Sequence, residues 1–160
     1  MKKITHIIAL LVLMLAWTGC DNGYDCDLNN ISYNNITFYT LADGKEVPYP
    51  NPAPLTVSLM VNGKDSIMIN HITDATIISL PMSYAQKTDT VVFHYDDSTT
   101  DSLYVDHTTK PFYQSMECGV LIHHQIEEIR CTNVWIEGAA VVNNAVNFNG
   151  NENIRIYFYQ

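Results

Sequence analysis

The chain predicts an all-β fold, an antiparallel β-sandwich of about eight to nine short strands. Three observations carry that expectation. Beyond residue 31, apolar and polar residues alternate with period two in one segment after another, the spacing that places one strand face in a core and the other in water. Val, Ile, Thr, Tyr and Phe crowd these segments, while Asn, Asp, Gly and Ser separate them at intervals of roughly 8 to 12 residues. Helical periodicity is nearly absent. A closed barrel is the second solution, because closure removes the sheet edges a sandwich leaves open.

The first segment stands outside that fold. Met1 to His6 carries Lys2 and Lys3, Ile7 to Ala16 is an apolar core too short to span a bilayer, and the small residues Thr18 and Gly19 precede Cys20. This pattern reads as a signal peptide over residues 1–19, with Cys20 as the new N-terminus. Acyl chains on its sulfur and amine would hold the domain to a membrane more firmly than one chain could. Trp17 departs from the Leu usual three residues before such a cysteine. Residues 20–30 are then a lipidated tether, and 31–160 a single β-sandwich domain.

Within the domain, strands are expected near 32–41 (Ile36, Phe38), 76–80 (Ile78, Leu80), 89–95 (Val91, Phe93, Tyr95), 102–106 (Leu103, Val105), 118–128 (Val120, Ile122, Ile126), 132–137 (Val134, Ile136) and 153–159 (Ile154, Ile156, Phe158). The firmest local unit is a hairpin: Leu55, Val57, Leu59 and Val61 share a face, Asn62-Gly63 turns, and Ser66 to Asn70 returns. Asn-Gly takes the positive φ angles of a tight primed turn readily, and this sets the register. Pro48, Pro50, Pro52 and Pro54 make residues 46–54 an extended connector or a sheet edge. Asp96-Asp97-Ser98-Thr99-Thr100-Asp101 reads as a solvated hairpin loop. Gly138 to Asn147 is ambiguous, since Ala139–Val142 suits a strand or one helical turn.

Removing residues 1–19 from the 160 leaves 141, a common single-domain size. Taking the two leader lysines from 8 basic residues leaves 6 against 17 acidic ones, a formal charge of −11. That balance excludes nucleic acid and anionic lipid surfaces as partners, because Lys and Arg must supply the phosphate contacts. With Cys20 assigned to lipid, Cys26, Cys118 and Cys131 remain in a compartment that permits disulfides. Cys26 with Cys118 is the expected pair, worth roughly 4 to 5 kcal/mol for so long a loop. It leaves Cys131 as a buried thiol. A Cys118–Cys131 hairpin bridge is the competing arrangement.

No catalytic residues, metal ligands or cofactor are expected. His123 and His124 are adjacent, so on a strand they face opposite ways and cannot chelate one metal, and His124 falls in phase with Ile122 and Ile126 as a core or rim histidine. His71, His94 and His107 sit near other strand ends. Asp96, Asp97 and Asp101 lack the spacing and glycine of a calcium loop. Glu127, Glu128 and Glu137 offer carboxylates for a small hydrolase only if the fold makes them converge. No nucleophile elbow, zinc-helix motif or phosphate loop occurs. Aromatics offer more: Trp135, Tyr157 and Tyr159 fall on the outward phase of their strands and would form a ligand platform for a sugar ring or a partner protein.

Met116-Glu117-Cys118-Gly119, the Thr132-Asn133 turn, Glu152-Asn153-Ile154-Arg155-Ile156-Tyr157-Phe158, Ser79-Leu80-Pro81-Met82 and Cys26, taken with the leader, resemble a family of short Bacteroidetes lipoproteins of unknown function. The resemblance implies attachment to the cell outer membrane, facing periplasm or cell surface, and no assigned activity. It also makes relevant the O-glycosylation of exported proteins of that group at Asp followed by Ser or Thr and then an apolar residue or Thr. Ser66, Thr90, Ser98 and Ser102 occupy such triplets. The expectation is therefore a lipid-anchored, non-catalytic binding or assembly module with an envelope protein as partner. A carbohydrate-binding accessory lipoprotein and a small hydrolase are the alternatives.

Overall fold

The computed structural model describes residues 31–51, 54–116 and 118–159. The expected signal peptide, Cys20 and Cys26 lie outside them. The described residues form β1 (Tyr33–Ala42), β2 (Lys45–Pro48), β3 (Leu55–Val61), β4 (Lys64–Ile72), β5 (Ile77–Pro81), β6 (Thr88–His94), β7 (Thr100–Ser115), β8 (Gly119–Cys131), β9 (Ile136–Val141), β10 (Ala145–Val146) and β11 (Glu152–Phe158). No helix occurs among them. The strands build two sheets and no closed barrel, so the sandwich expectation holds.

Sheet 1 has the order β2-β1-β11-β9. One edge of β1 is shared: β5 pairs with Tyr33–Thr37 and β2 with Tyr39–Ala42. The other edge of β1 pairs with β11 in parallel, placing Thr37 opposite Arg155 and Tyr39 opposite Tyr157. Sheet 2 runs β10-β8-β7-β6-β3-β4. Its β3–β4 hairpin turns at Asn62 (φ 52°) and Gly63 (φ 74°), the primed geometry the sequence predicts. Asp43 and Gly44 repeat that geometry, with φ 52° and 72°, and fold β2 back as a short edge strand. The first prolines of the 46–54 segment thus begin at a sheet edge, where a missing N–H costs nothing.

The inward phases of both sheets meet in one core. Ile36, Phe38, Leu55, Val57, Val91, Phe93, Leu103, Val105, Ile126, Ile136, Ile154, Ile156 and Phe158 are all buried in it. Phe38 sits edge-on to Phe158 at 5.4 Å and to Phe93 at 6.4 Å, the offset geometry that aromatic quadrupoles favour.

The strand expected near 102–106 extends over Thr100–Ser115, and two stretches around one carboxylate differ from expectation for a shared reason. The last strand before the Ala139–Val142 stretch begins at Ile136 rather than 132, and Ala139 to Val141 continue it as strand. Asp101, expected in a solvated loop, is fully buried near the start of β7. Its carboxylate accepts the backbone N–H groups of Val134, Trp135 and Ile136 at 2.9, 2.7 and 3.0 Å, together with the hydroxyls of Thr132 at 2.7 Å and Tyr95 at 3.2 Å. With the Val134 and Trp135 amides held by the carboxylate, 132–135 are irregular and bend, and β9 begins only at Ile136. Only the Asp96 end of the loop is a solvated turn. There Asp96 accepts from the Ser98 and Thr99 amides, which hold its carboxyl down at about 2.

Candidate functional site

The outer face of sheet 1 gathers the most organised set of exposed chemistry. Inward Ile36 and Phe38 turn Thr37 and Tyr39 outward, and inward Ile154, Ile156 and Phe158 do the same for Arg155 and Tyr157. Parallel pairing of β1 with β11 then sets these four side by side. The Arg155 guanidinium carbon lies 4.8 Å from the centroid of the Tyr39 ring, and the rings of Tyr39 and Tyr157 are 6.4 Å apart. Glu152 grips Arg155 by both oxygens, from Nε at 2.9 Å and Nη2 at 2.8 Å. Glu46, carried on edge strand β2, accepts from Arg155 Nη1 at 2.6 Å and from the Tyr157 hydroxyl at 2.7 Å. Thr37 donates to Glu152 as well. The guanidinium bonded to Glu152 holds that carboxyl below its usual range, while partial burial and the Glu46 contact raise the Tyr157 hydroxyl. Thr37, Glu46, Glu152, Arg155 and the Tyr157 hydroxyl are all bound to one another, and the tyrosine rings are what the patch leaves to offer.

Of the three residues expected to form an aromatic platform, only Tyr157 is in this patch. Trp135 turns inward, packs against the core and stacks on Tyr95 at 4.7 Å. The Asp101 clamp on its amide aims it there. Tyr159 is half-exposed beyond the end of β11 and donates its amide to the Trp135 carbonyl at 3.0 Å. Sequence reading overlooked Tyr39, Arg155 and Glu46. The first two follow the same outward alternation as Tyr157, and that signal could have found them. No signal in the sequence announces the parallel pairing.

The other expected positions are scattered. Ser66 is exposed on β4 and Ser98 is exposed in the β6–β7 turn, its hydroxyl donating to Asp96 at 3.0 Å. Thr90 and Ser102 are half-buried within strands. Cys131 is a free thiol, half-buried, and burial raises its pKa. The hairpin bridge between Cys118 and Cys131 is therefore not made. Cys118 is disulfide-bonded, in the β7–β8 turn rather than on a strand.

Two further polar clusters use histidines. His124 is buried in the core, and its Nδ1 lies 3.3 Å from Nδ1 of buried His107. Nε2 of His107 stands 3.1 Å from Asp89 Oδ2. Burial and the His107 neighbour push the His124 pKa down to about 4. Tyr84 stacks over its ring at 5.8 Å. On β3, the Ser58 hydroxyl is 2.9 Å from His94 Nε2 and 3.2 Å from Asp65 Oδ1. Asp65 contacts the serine rather than the far imidazole nitrogen, and Ser58 is fully buried. The trio thus lacks the order in which an acid orients a base and the base activates a nucleophile. Among the described residues no three His, Cys, Asp or Glu side chains gather closely enough to hold a metal ion.

A family model described as a family of unknown function (DUF6452) matches residues 54–158. No curated protein and no solved structure matches the chain.

Proposed function

We propose that this chain, which belongs to that family of unknown function, is a non-catalytic binding module of the cell envelope, anchored to the outer membrane by lipid on Cys20. Its partner docks on the outer face of sheet 1. The observation that carries this reading is the Tyr39–Arg155–Tyr157 cluster, with Arg155 over the Tyr39 ring, Glu152 holding Arg155, and Glu46 holding both Arg155 and Tyr157. Tyr and Arg supply large contact area with few freely rotating bonds when held this way, which is why they dominate binding energy at interfaces. The charges are already compensated inside the patch, so the surface suits a partner that offers apolar or hydroxyl-rich area rather than a strong counter-charge. The chain's acidic excess agrees, since it would repel anionic partners. Cys26 is the proposed partner of Cys118, tying the tether to the β7–β8 turn.

A photoreactive amino acid in place of Tyr39, incorporated in the native host, tests the surface directly. A discrete cross-linked adduct that disappears when Arg155→Ala is added supports it, and the absence of any adduct overturns it. The second reading, a glycan ligand, rests on the partly exposed rings of Tyr39 and Tyr157, because aromatic faces stack on sugar C–H groups. A glycan array separates the two: saturable retention of one glycan class, weakened tenfold or more by Tyr157→Ala, assigns the face to carbohydrate. No retention removes the glycan reading.

A further inference from the structure

The β7–β8 hairpin carries apolar side chains that the fold does not cover. Phe112 is 47% exposed, Tyr113 59%, Met116 89% and Val120 52%, all around its turn. Residues 108–113 of β7 are exposed on both faces, whereas Leu121 and His124 opposite them on β8 are buried, so the β7 half and the turn are what the fold leaves open. The sequence from Thr108 to Ile126 contains one cation, Lys110, and one acid, Glu117, in a chain that is otherwise strongly acidic. The tip is therefore apolar and close to neutral.

The chain enters the domain beside this tip. Ser32 donates its hydroxyl to the Ile122 carbonyl at 2.5 Å. Phe112 stacks on His123 at 5.0 Å, and His123 meets Phe148 at 5.1 Å. Phe148 in turn lines a cleft of about 350 Å³ with Ile31 and Tyr33. Cys118, in the turn itself, is disulfide-bonded.

From this placement we infer that the tip of the β7–β8 hairpin rests in the headgroup–acyl boundary of the bilayer that holds the anchor. The inference rests on the lipid-anchor reading of Cys20. Eleven peptide steps separate Cys20 from Ile31, a reach of at most about 38 Å at roughly 3.5 Å per step. If Cys26 is the partner of Cys118, six steps, about 21 Å, separate the lipid from the turn. The tip is thus kept within a short distance of lipid, where exposed Phe and Met gain by leaving water. Tyrosine, apolar in its ring and polar at its hydroxyl, suits the boundary itself. The acidic body stays in solvent, and the near-neutral tip approaches a zwitterionic lipid surface with little electrostatic penalty.

Trp135 makes the test simple. It is the single tryptophan left after residue 19, and it follows the far end of β8 from the turn. Acylated protein purified from host membranes is reconstituted in phosphatidylcholine vesicles whose acyl chains carry bromine near the headgroup. Trp135 emission of the parent stays unquenched, while the added emission of Phe112→Trp, and independently of Tyr113→Trp, falls by half or more. Co-flotation with vesicles and no quenching of the added emission would overturn the tip's role while leaving the anchor intact. Failure of the acylated protein to co-float would remove the anchor reading and this inference with it.

Discussion

Replacing Asp101 with Asn is the sharpest test of how this sandwich is held at one end. The carboxylate is fully buried and receives five donors. Oδ1 takes Val134 N at 2.9 Å and Thr132 Oγ1 at 2.7 Å; Oδ2 takes Trp135 N at 2.7 Å, Ile136 N at 3.0 Å and Tyr95 Oη at 3.2 Å. An asparagine keeps one acceptor oxygen and presents an NH₂ where the other stood. Either amide orientation leaves two or three donors facing a donor. Each buried donor left unpaired costs about 1 to 3 kcal/mol, so an asparagine that turns its NH₂ toward Val134 N, with the Thr132 hydroxyl free to re-aim, loses about 2 kcal/mol net. For a domain of about 130 residues that lowers Tm by about 7 °C. Urea unfolding followed by fluorescence reads it well, because Trp135 sits on the clamp. A loss below about 1 kcal/mol, with an unchanged dependence on denaturant, would show that the bend before β9 forms without the carboxylate.

Other consequences are equally measurable. His124 ordinarily titrates near 6.5 but is pushed down to about 4 by burial and by His107, with Asp89 opposing and His123 assisting. The unfolded chain therefore binds the extra proton first as pH falls, so this stability is complete above about 6.5 and is lost between there and about 4. A displacement of that size corresponds to about 3 kcal/mol, and His124→Gln flattens the dependence of the urea midpoint over that window. An unchanged slope in the variant would refute it. Thiol labelling of the denatured, unreduced protein modifies Cys131 alone, and a linked peptide joins Cys26 to Cys118; labelled Cys118 contradicts the pairing. If the Asp-Ser and Asp-Thr triplets are modified, the exposed Ser66 and Ser98 carry the glycan, while half-buried Thr90 and Ser102 do not. An intact mass equal to polypeptide plus lipid rules the modification out.

Period-two alternation sufficed for the sandwich because each sheet has one wet face, and Asn62-Gly63 sufficed for the β3–β4 turn, but the register it sets slips at Leu55–Val57 and Val57–Ser58, which buries Ser58 and leaves Val61 exposed. Alternation failed wherever long-range contacts decide. Val134-Trp135-Ile136 alternates like a strand, yet a carboxylate more than thirty residues away takes its amides. Thr108 to Ser115 contains Pro111 and Lys110 and gives no core pattern, yet pairing with β8 across a long hairpin makes it strand. The platform was half legible for the same reason. Tyr157 shows its outward phase locally, whereas its neighbours arrive from β1 and β2, more than a hundred residues earlier, through a parallel ladder no local signal encodes.

That ladder also explains why the Glu46–Arg155–Glu152 network is better read as positioning than as stabilisation. Arg155 and Glu46 are partly open to solvent, and ion pairs in that setting contribute about 0 to 1 kcal/mol. Arg155→Ala is accordingly expected to shift the urea midpoint little. What the network does is restrict rotamers: a guanidinium bound by two glutamates cannot leave the Tyr39 ring, and a hydroxyl bound to Glu46 cannot swing Tyr157 away. Ordering a mobile aromatic or arginine on binding costs about 0.5 to 1.5 kcal/mol per side chain. Three side chains ordered in advance thus spare a partner about 2 to 4 kcal/mol, roughly a thirtyfold to thousandfold gain in affinity. Glu46→Gln tests this separation. It keeps an acceptor for Tyr157 but weakens the hold on Arg155, so partner capture should fall while stability stays within about 0.5 kcal/mol. A variant that lost both together would mark the cluster as part of the scaffold instead.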